Sequence, residues 1–436
     1  MLQSPVGDAL ESVGKMNSVE YQRPQVGTLK QARKNLKGVS ALSKLSKHLR
    51  TIAEFLVVGI CTLTFAITAL GFVVSLLRHD AVGTRDFVEY WASGNLLAHH
   101  ANPYESGAIL RLERSVGSIL PLQIMANPPW TLLLVLPLGF LSPRVGELLW
   151  VLSSLAALVA SVRIIWEMHG CPTTPWNVLG YTFAPALLCL LAGQVTIFVL
   201  FGLVVFLRWH RSRPFTAGVS LWFCMLKPHL FLPFGIVLLV WIILSRSYKV
   251  LAGTVVALGV STAITLIFDP HVWVHYWRMM SVARIDRMDI PGFSVVLRQH
   301  VSPHTFSLQC LPAALGCIWA LAFFRKHRHE WDWMRHGSLL ILVSVLVPPY
   351  TWIFDQAVLI PSLLHGAYAT QSRSLIALLA LTSAAIEIGL FLPTPSPRSF
   401  YFLWTVPAWL VWYLCAIKRC DRMNADHYVA SLAEGN

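Results

Sequence analysis

Charge is scarce in this sequence. Only 13% of its 436 residues are Asp, Glu, Lys or Arg, about half the share of a typical soluble domain, so most of its surface does not face water. Signatures of soluble nucleotide chemistry are missing too: there is no Walker phosphate loop and no Rossmann glycine fingerprint. No Asp-x-Asp occurs anywhere, which argues against a divalent metal held on a sugar diphosphate. The eight cysteines show no paired metal spacing, and Cys61, Cys189, Cys224 and Cys317 sit in apolar runs, where Cys behaves as a small hydrophobe. Neither zinc, nor disulfides, nor any other cofactor is expected.

Apolar residues, in contrast, make up 56% of the chain and come in blocks. Thr51–Leu77 carries one acid, Glu54, and no basic residue, and Val250–Phe268 carries no charge at all. Runs near 20 residues match a hydrocarbon core of roughly 30 Å at about 1.5 Å per helical residue. The sequence therefore predicts an all-α polytopic membrane protein with about 10–13 transmembrane helices. Residues 1–50 do not form a signal peptide, because the apolar run starts too late and a basic stretch precedes it. They read as a disordered or amphipathic cytoplasmic tail, followed by a membrane domain over 51–417 and a second cytoplasmic tail over 418–436.

The net charge of +13 fits positive-inside topology and anionic lipid better than nucleic acid. The basic connectors Arg208–Arg213, Arg246–Lys249, Arg325–Arg328, Gln371–Arg373 and Lys418–Arg419 should all be cytoplasmic. Two long loops, 78–127 and 269–303, then fall outside. The run Trp130–Leu141 is about 18 Å long as a helix, too short to cross, and reads as a segment that dips in and returns. Three other runs are interrupted, at Ala192-Gly193-Gln194, Lys227-Pro228 and Pro348-Pro349. Such breaks persist at membrane depth only inside protein or beside a wet cavity, which implies an outward-facing cavity roofed by the long loops.

Several residues near these breaks suit sugar and phosphate chemistry. Asp86 lies nine residues beyond Leu77, where a carboxylate can take a proton from a hydroxyl at the membrane surface; the plainer reading is a solvated acid paired with Arg85. Gln194 either bonds a neighbouring helix or contacts a sugar hydroxyl. Lys227 is an ionisable residue within an apolar segment, suited to a lipid phosphate unless it snorkels to the interface, and His229 offers a second bond. Asp355 either holds a sugar hydroxyl or caps its helix. In the second loop Arg287 and its basic neighbours, beside Trp273, Tyr276 and Trp277, suit a phosphate headgroup. Asn127-Pro128-Pro129-Trp130 reads as structural.

In their order these landmarks resemble family 87 of the GT-C glycosyltransferases, a family that contains polyprenol-phosphate-mannose-dependent mannosyltransferases. The resemblance rests on Asp86-Phe87-Val88-Glu89-Tyr90, Asn102-Pro103-Tyr104, Asn127-Pro128-Pro129, Gly193-Gln194, Ala217-Gly218 with Lys227-Pro228, and Pro348-Pro349 through Asp355, over residues 84–365. It implies a GT-C membrane fold, an extracytoplasmic site, and sugar transfer from a polyprenyl phosphate. It places Asp86 at the family's catalytic acid and makes Tyr90, Asn102 and Tyr104 substrate-binding candidates. His229 departs from the small or apolar residue expected after Lys-Pro. Other readings are a transporter or flippase for lipid-linked sugars, or a non-catalytic assembly partner in the envelope.

Overall fold

The computed structural model describes residues 51–52, 55–71, 73–74, 85–118, 122–282, 292–370, 372–391 and 400–418. The tail over 1–50, most of the tail over 418–436, the turn at 393–397 and Arg287 lie outside these. The chain divides into two units, 1–53 and 54–436, and Thr51 and Ile52 of the first are helical.

The second unit is all-α among the described residues. It begins with α1 (Phe55–Gly71). The first long loop is not an open loop: it contains α2 (Phe87–Ala98) and α3 (Ser106–Ser115). Short α4 (Leu132–Gly139) precedes long α5 (Pro143–Met168), and then come α6 (Val178–Tyr181), α7 (Ala184–Ala192), α8 (Thr196–Trp209) and α9 (Pro214–Cys224). The next helices are α10 (Leu232–Leu244), α11 (Tyr248–Phe268), α12 (Val272–Val282), α13 (Phe293–Val301), α14 (Leu311–His327), α15 (Arg335–Leu346), α16 (Ile360–Ala369) and α17 (Arg373–Phe391). With its leading 3-10 turn, α18 (Phe400–Lys418) closes the described chain.

Five helical stretches among the described residues are long and apolar enough to cross a membrane, and six shorter apolar helices of 10–17 residues accompany them. Large aliphatic side chains stay uncovered along α5 and α11, with Leu152 at 55% and Val255 at 58% exposure. Apolar flanks of this extent suit lipid rather than water. The protein is a polytopic all-α membrane protein.

The helices share a direction-defining pattern. At one end, the turns before α9 and α11 face each other across a cavity lined by Arg211, Arg246 and Lys249. Trp333, before α15, packs on Phe206 and Trp241 at centroid distances of 5.2 and 5.5 Å, so three basic connectors gather at this basic end. At the other ends of α8, α10 and α15 lie the interruptions at Gly193, Lys227 and Pro348. Each break has a local cause. Gly193 ends α7 in the left-handed region, φ +75°, which glycine enters without steric cost. Pro228 forces Lys227 out of helical geometry, to φ −134° and ψ 68°, and Pro348-Pro349 stops α15.

Two close helix crossings fix this arrangement. A methyl group on Gly94 of α2 would lie 2.3 Å from the Val135 carbonyl of α4, and one on Gly218 of α9 would lie 2.0 Å from the Val250 carbonyl of α11. Both ends of α4 sit at the broken end of α11. The Pro129 carbonyl accepts from Thr265 at 3.4 Å, and Phe140 packs on Phe268 at 6.5 Å. The chain thus leaves α4 at the end where it entered, and α5 starts from the broken end.

Two outcomes are expected of this packing. Gly94→Ala should lower stability by about 1–3 kcal/mol through overpacking, whereas Gly235→Ala, with nothing within 4 Å, should be neutral or mildly stabilising; thermal unfolding of the purified chain in detergent compares them. The second concerns Glu113 of α3, whose carboxyl burial raises from 4.5 to about 7 while the Gln123 amide donates to it at 3.2 Å. A raised native pKa means that stability is fullest below about 4.5 and falls as pH rises through about 7. Glu113→Gln, which keeps an acceptor for that amide, should raise the melting temperature at pH 8 and leave it unchanged at pH 4. Equal effects at both pH values would contradict the assignment.

Candidate active site

The break at Gly193 meets the first helix of the long loop, and Gln194 joins that helix to Lys227 at the second break. Asp86 stands at the N-terminus of α2 and is half-buried. Its backbone amide donates to the Ala192 carbonyl at 2.9 Å, at the end of α7. Arg85 does not leave this carboxylate as a solvated surface pair. It is 4% exposed and turns toward Glu147 of α5, with Nη1 to Oε1 at 2.7 Å, and it donates to the carbonyls of Leu190 and Leu191. Both carbonyls lie in the last turn of α7, where Leu190 also accepts from the Gly193 amide at 3.2 Å, so one buried guanidinium ties α2, α5 and the α7 terminus together. Trp150 completes the tie by donating from Nε1 to the Gly193 carbonyl at 2.8 Å.

Gln194 sits at the centre. Its Nε2 donates to Asp86 Oδ2 at 2.6 Å, and its Oε1 accepts from the Tyr90 hydroxyl at 3.0 Å and from Lys227 Nζ at 3.1 Å. Two donors on one side and one carboxylate on the other fix which way the amide points. Tyr90 is 1% exposed and stacks on Trp150 at 5.3 Å. Lys227 Nζ also donates to Asp355 Oδ1 at 2.7 Å, an oxygen that accepts from Thr196 at 2.9 Å as well. The ammonium lies 4.9 Å from the centre of the Phe354 ring, within cation–π range.

Of its two sequence-level readings, Asp355 shows the helix cap, and it adds an ion pair that neither reading contained. Oδ2 accepts from the Trp352 amide at 2.9 Å, capping its own turn, while Oδ1 holds Lys227. It is fully buried, with both carboxylate oxygens engaged inside the protein. Nor does Lys227 reach for water: at 8% exposure it is engaged inside the protein. His229 stacks on Tyr350 at 4.1 Å, and its buried Nε2 has no hydrogen-bond partner among the described residues.

Asn102 and Tyr104 lie elsewhere, as struts of the loop. The Asn102 side chain accepts from the Tyr104 amide at 2.9 Å, a local turn, and the Tyr104 hydroxyl donates to the Asn127 carbonyl at 3.0 Å. Asn127 donates in turn to the Leu226 carbonyl at 2.9 Å, and Trp130 Nε1 to the Met225 carbonyl at 2.8 Å. Asn127 and Trp130 thus satisfy carbonyls left open where α9 ends, directly before Lys227, and Tyr104 braces Asn127 from behind. The Asn102 side-chain oxygen and the Tyr104 hydroxyl are thus engaged within the protein.

Residues that sequence reasoning passed over also enter the site. Thr196 has no motif to announce it and is recognised only by its bond to Asp355. Glu89 is buried beside Tyr90, and burial, then the neighbouring charge of Asp86, push its carboxyl well above the usual range. Its spacing from Asp86, three residues on a helix, was the available signal. The metal-ligand group among the described residues, His327, Glu330 and His336, lies beside the basic-end turn, and His336 Nδ1 already accepts the Asp332 amide at 3.1 Å.

No curated protein and no solved structure matches the chain. The family model of Glycosyltransferase family 87 matches residues 126–364. That span contains Asn127, Gln194, Lys227 and Asp355 and begins after Asp86 and Tyr90. It covers more than half of the sequence, and the chain belongs to Glycosyltransferase family 87.

Proposed function

We propose that this membrane glycosyltransferase moves a hexose, mannose being the first choice, from a polyprenyl phosphate to an acceptor hydroxyl on an envelope lipid, glycan or protein. The fold is read as GT-C. The site opens on the extracytoplasmic side of the cell membrane, with the basic end and both termini cytoplasmic. The donor is a membrane lipid, so no nucleotide sugar, nucleic acid, metal or cofactor is required. The observation that carries the reading is the orientation of Gln194, which joins a half-buried carboxylate to a buried ammonium through one amide.

In this reading Asp86 is the general base. It takes the proton of the acceptor hydroxyl as that oxygen attacks the anomeric carbon. The bond from that carbon to the phosphate oxygen breaks, polyprenyl phosphate leaves with the electron pair, and a single displacement inverts the anomeric centre. Gln194 holds Oδ2 of Asp86 and leaves the carboxylate positioned for the incoming hydroxyl. Lys227 has three N–H donors; two serve Gln194 and Asp355, and the third is available to the leaving phosphate. His229 Nε2 and the arginines of the second loop, Arg287 among them, supply further donors. The flippase and assembly-partner alternatives would use the same cavity without needing Asp86.

Asp86→Asn should reduce transfer by about 10²–10⁴-fold without loss of membrane insertion. Purified protein given a labelled polyprenyl-phosphate sugar and membrane extract provides the assay, and turnover above a tenth of wild type would remove Asp86 from the mechanism. Lys227 needs a paired test, because Lys227→Met alone strands the buried Asp355 charge at a cost of about 3–5 kcal/mol. Lys227→Met combined with Asp355→Leu should recover most of that stability yet remain at least 10-fold impaired in donor use, the minimum expected for one charge-assisted bond of about 1.5–3 kcal/mol. A double variant that is both stable and active would make the pair purely architectural.

A further inference from the structure

The basic end holds a concavity that sugar transfer does not use. The α8–α9 and α10–α11 turns enclose about 510 Å³, bordered by Arg211, Arg246, Lys249, His210 and Trp241, with no acidic residue on its lining. Small-molecule sites occupy about 300–1,000 Å³. The ion pairs found among the described residues lie elsewhere, so these cations are not neutralised by those residues. His210 Nδ1 is bonded to the Leu207 carbonyl at 2.9 Å, while its Nε2 is buried without a partner among the described residues.

Positive-inside topology accounts for how many basic residues lie at this end. It does not account for their convergence on one hollow. The convergence comes from the tight crossing of α9 and α11, where methyl groups on Gly218 and Gly253 would lie 2.0 and 2.2 Å from the facing carbonyls of Val250 and Phe215. That crossing draws the starts of the two helices, and the basic turns before them, side by side. Apolar surface begins beside the hollow: Ile243 and Leu244 are each 60% exposed, and Tyr248 is 55% exposed. A cationic hollow, a tryptophan on its wall and a lipid-facing aliphatic flank together match the headgroup and acyl chains of one kind of ligand.

From this juxtaposition we infer that the hollow between the two turns binds the phosphate headgroup of an anionic phospholipid, whose acyl chains lie along the exposed flank of α10 and α11. Arg246 and Lys249 face the phosphate from one turn and Arg211 from the other, while the indole of Trp241 lies at headgroup level. The site is separate from the sugar-transfer centre and does not depend on the proposed reaction.

The test uses the full chain purified in detergent and titrated with phosphatidylglycerol, phosphatidylcholine or inorganic phosphate, with retained ligand counted by native mass spectrometry and melting temperature followed in parallel. Phosphatidylglycerol should be retained and should raise the melting temperature, while phosphatidylcholine and inorganic phosphate at the same concentration should do neither. Arg246→Gln with Lys249→Gln should weaken phosphatidylglycerol binding about 30-fold, each charge contributing about fivefold near an anionic headgroup, and should leave the lipid-free melting temperature unchanged. Equal retention of phosphatidylcholine, or undiminished binding by the double variant, overturns the proposal. Inorganic phosphate binding as tightly as the lipid would overturn the lipid assignment in favour of a free anion. Should the double variant fold poorly, the single change Arg211→Gln, on an exposed connector, is expected to weaken binding about fivefold, and no change there overturns the proposal as well.

Discussion

A helix that stops inside an apolar bundle leaves amides and carbonyls that lipid cannot satisfy, and everything at the broken end derives from that constraint. The termini of α7 and α9 and the turn before α16 each expose such groups. Arg85 answers for α7, Asn127 and Trp130 for α9, and the Asp355 carboxylate for its own turn. Because these partners come from distant parts of the chain, satisfying the backbone also assembles the polar cluster. The ion pair Lys227–Asp355 is the part of that cluster least able to stand alone, since each member is buried at 8% exposure or less. A lone charge there would be strongly unfavourable; paired, it locks two breaks to each other.

Much of the architecture was legible because lipid imposes simple rules. Long uncharged runs announced the helices, and glycine and proline announced where they stop. Shortness alone set Trp130–Leu141 apart, and the structure shows the physical reason: both of its ends abut the same end of α11. The loop over 78–127 was harder. Arg85, Asp86 and Glu89 interrupt its hydrophobic pattern and make it read as exposed. Phe87, Val88 and Trp91 nevertheless bury α2 almost completely.

The partners in the site were mostly illegible. Arg85 beside Asp86 suggested a local ion pair, but the guanidinium reaches 62 positions along the chain to Glu147. Glu147, inside the apolar run of α5, is named by no motif. Lys227 and Asp355 lie 128 positions apart, and nothing local to either names the other. Single residues with unusual chemistry in unusual places can be flagged from sequence; the pairing that makes burial tolerable is a property of the fold.

That long separation has a consequence for how the protein is made. Synthesis runs from the N-terminus, so Lys227 reaches the bilayer with six helices, α10 to α15, still to come before Asp355 emerges. For that interval its ion-pair partner Asp355 is missing, although Asp86 and Glu89 are already made. Its position at a helix break lets the side chain extend toward the headgroups while it waits. The Lys227–Asp355 pair can then close only late, when the turn carrying Asp355 docks. The ion pair acts as a latch that fastens the last third of the chain onto the first two, and a nascent chain lacking Asp355 would carry its site open.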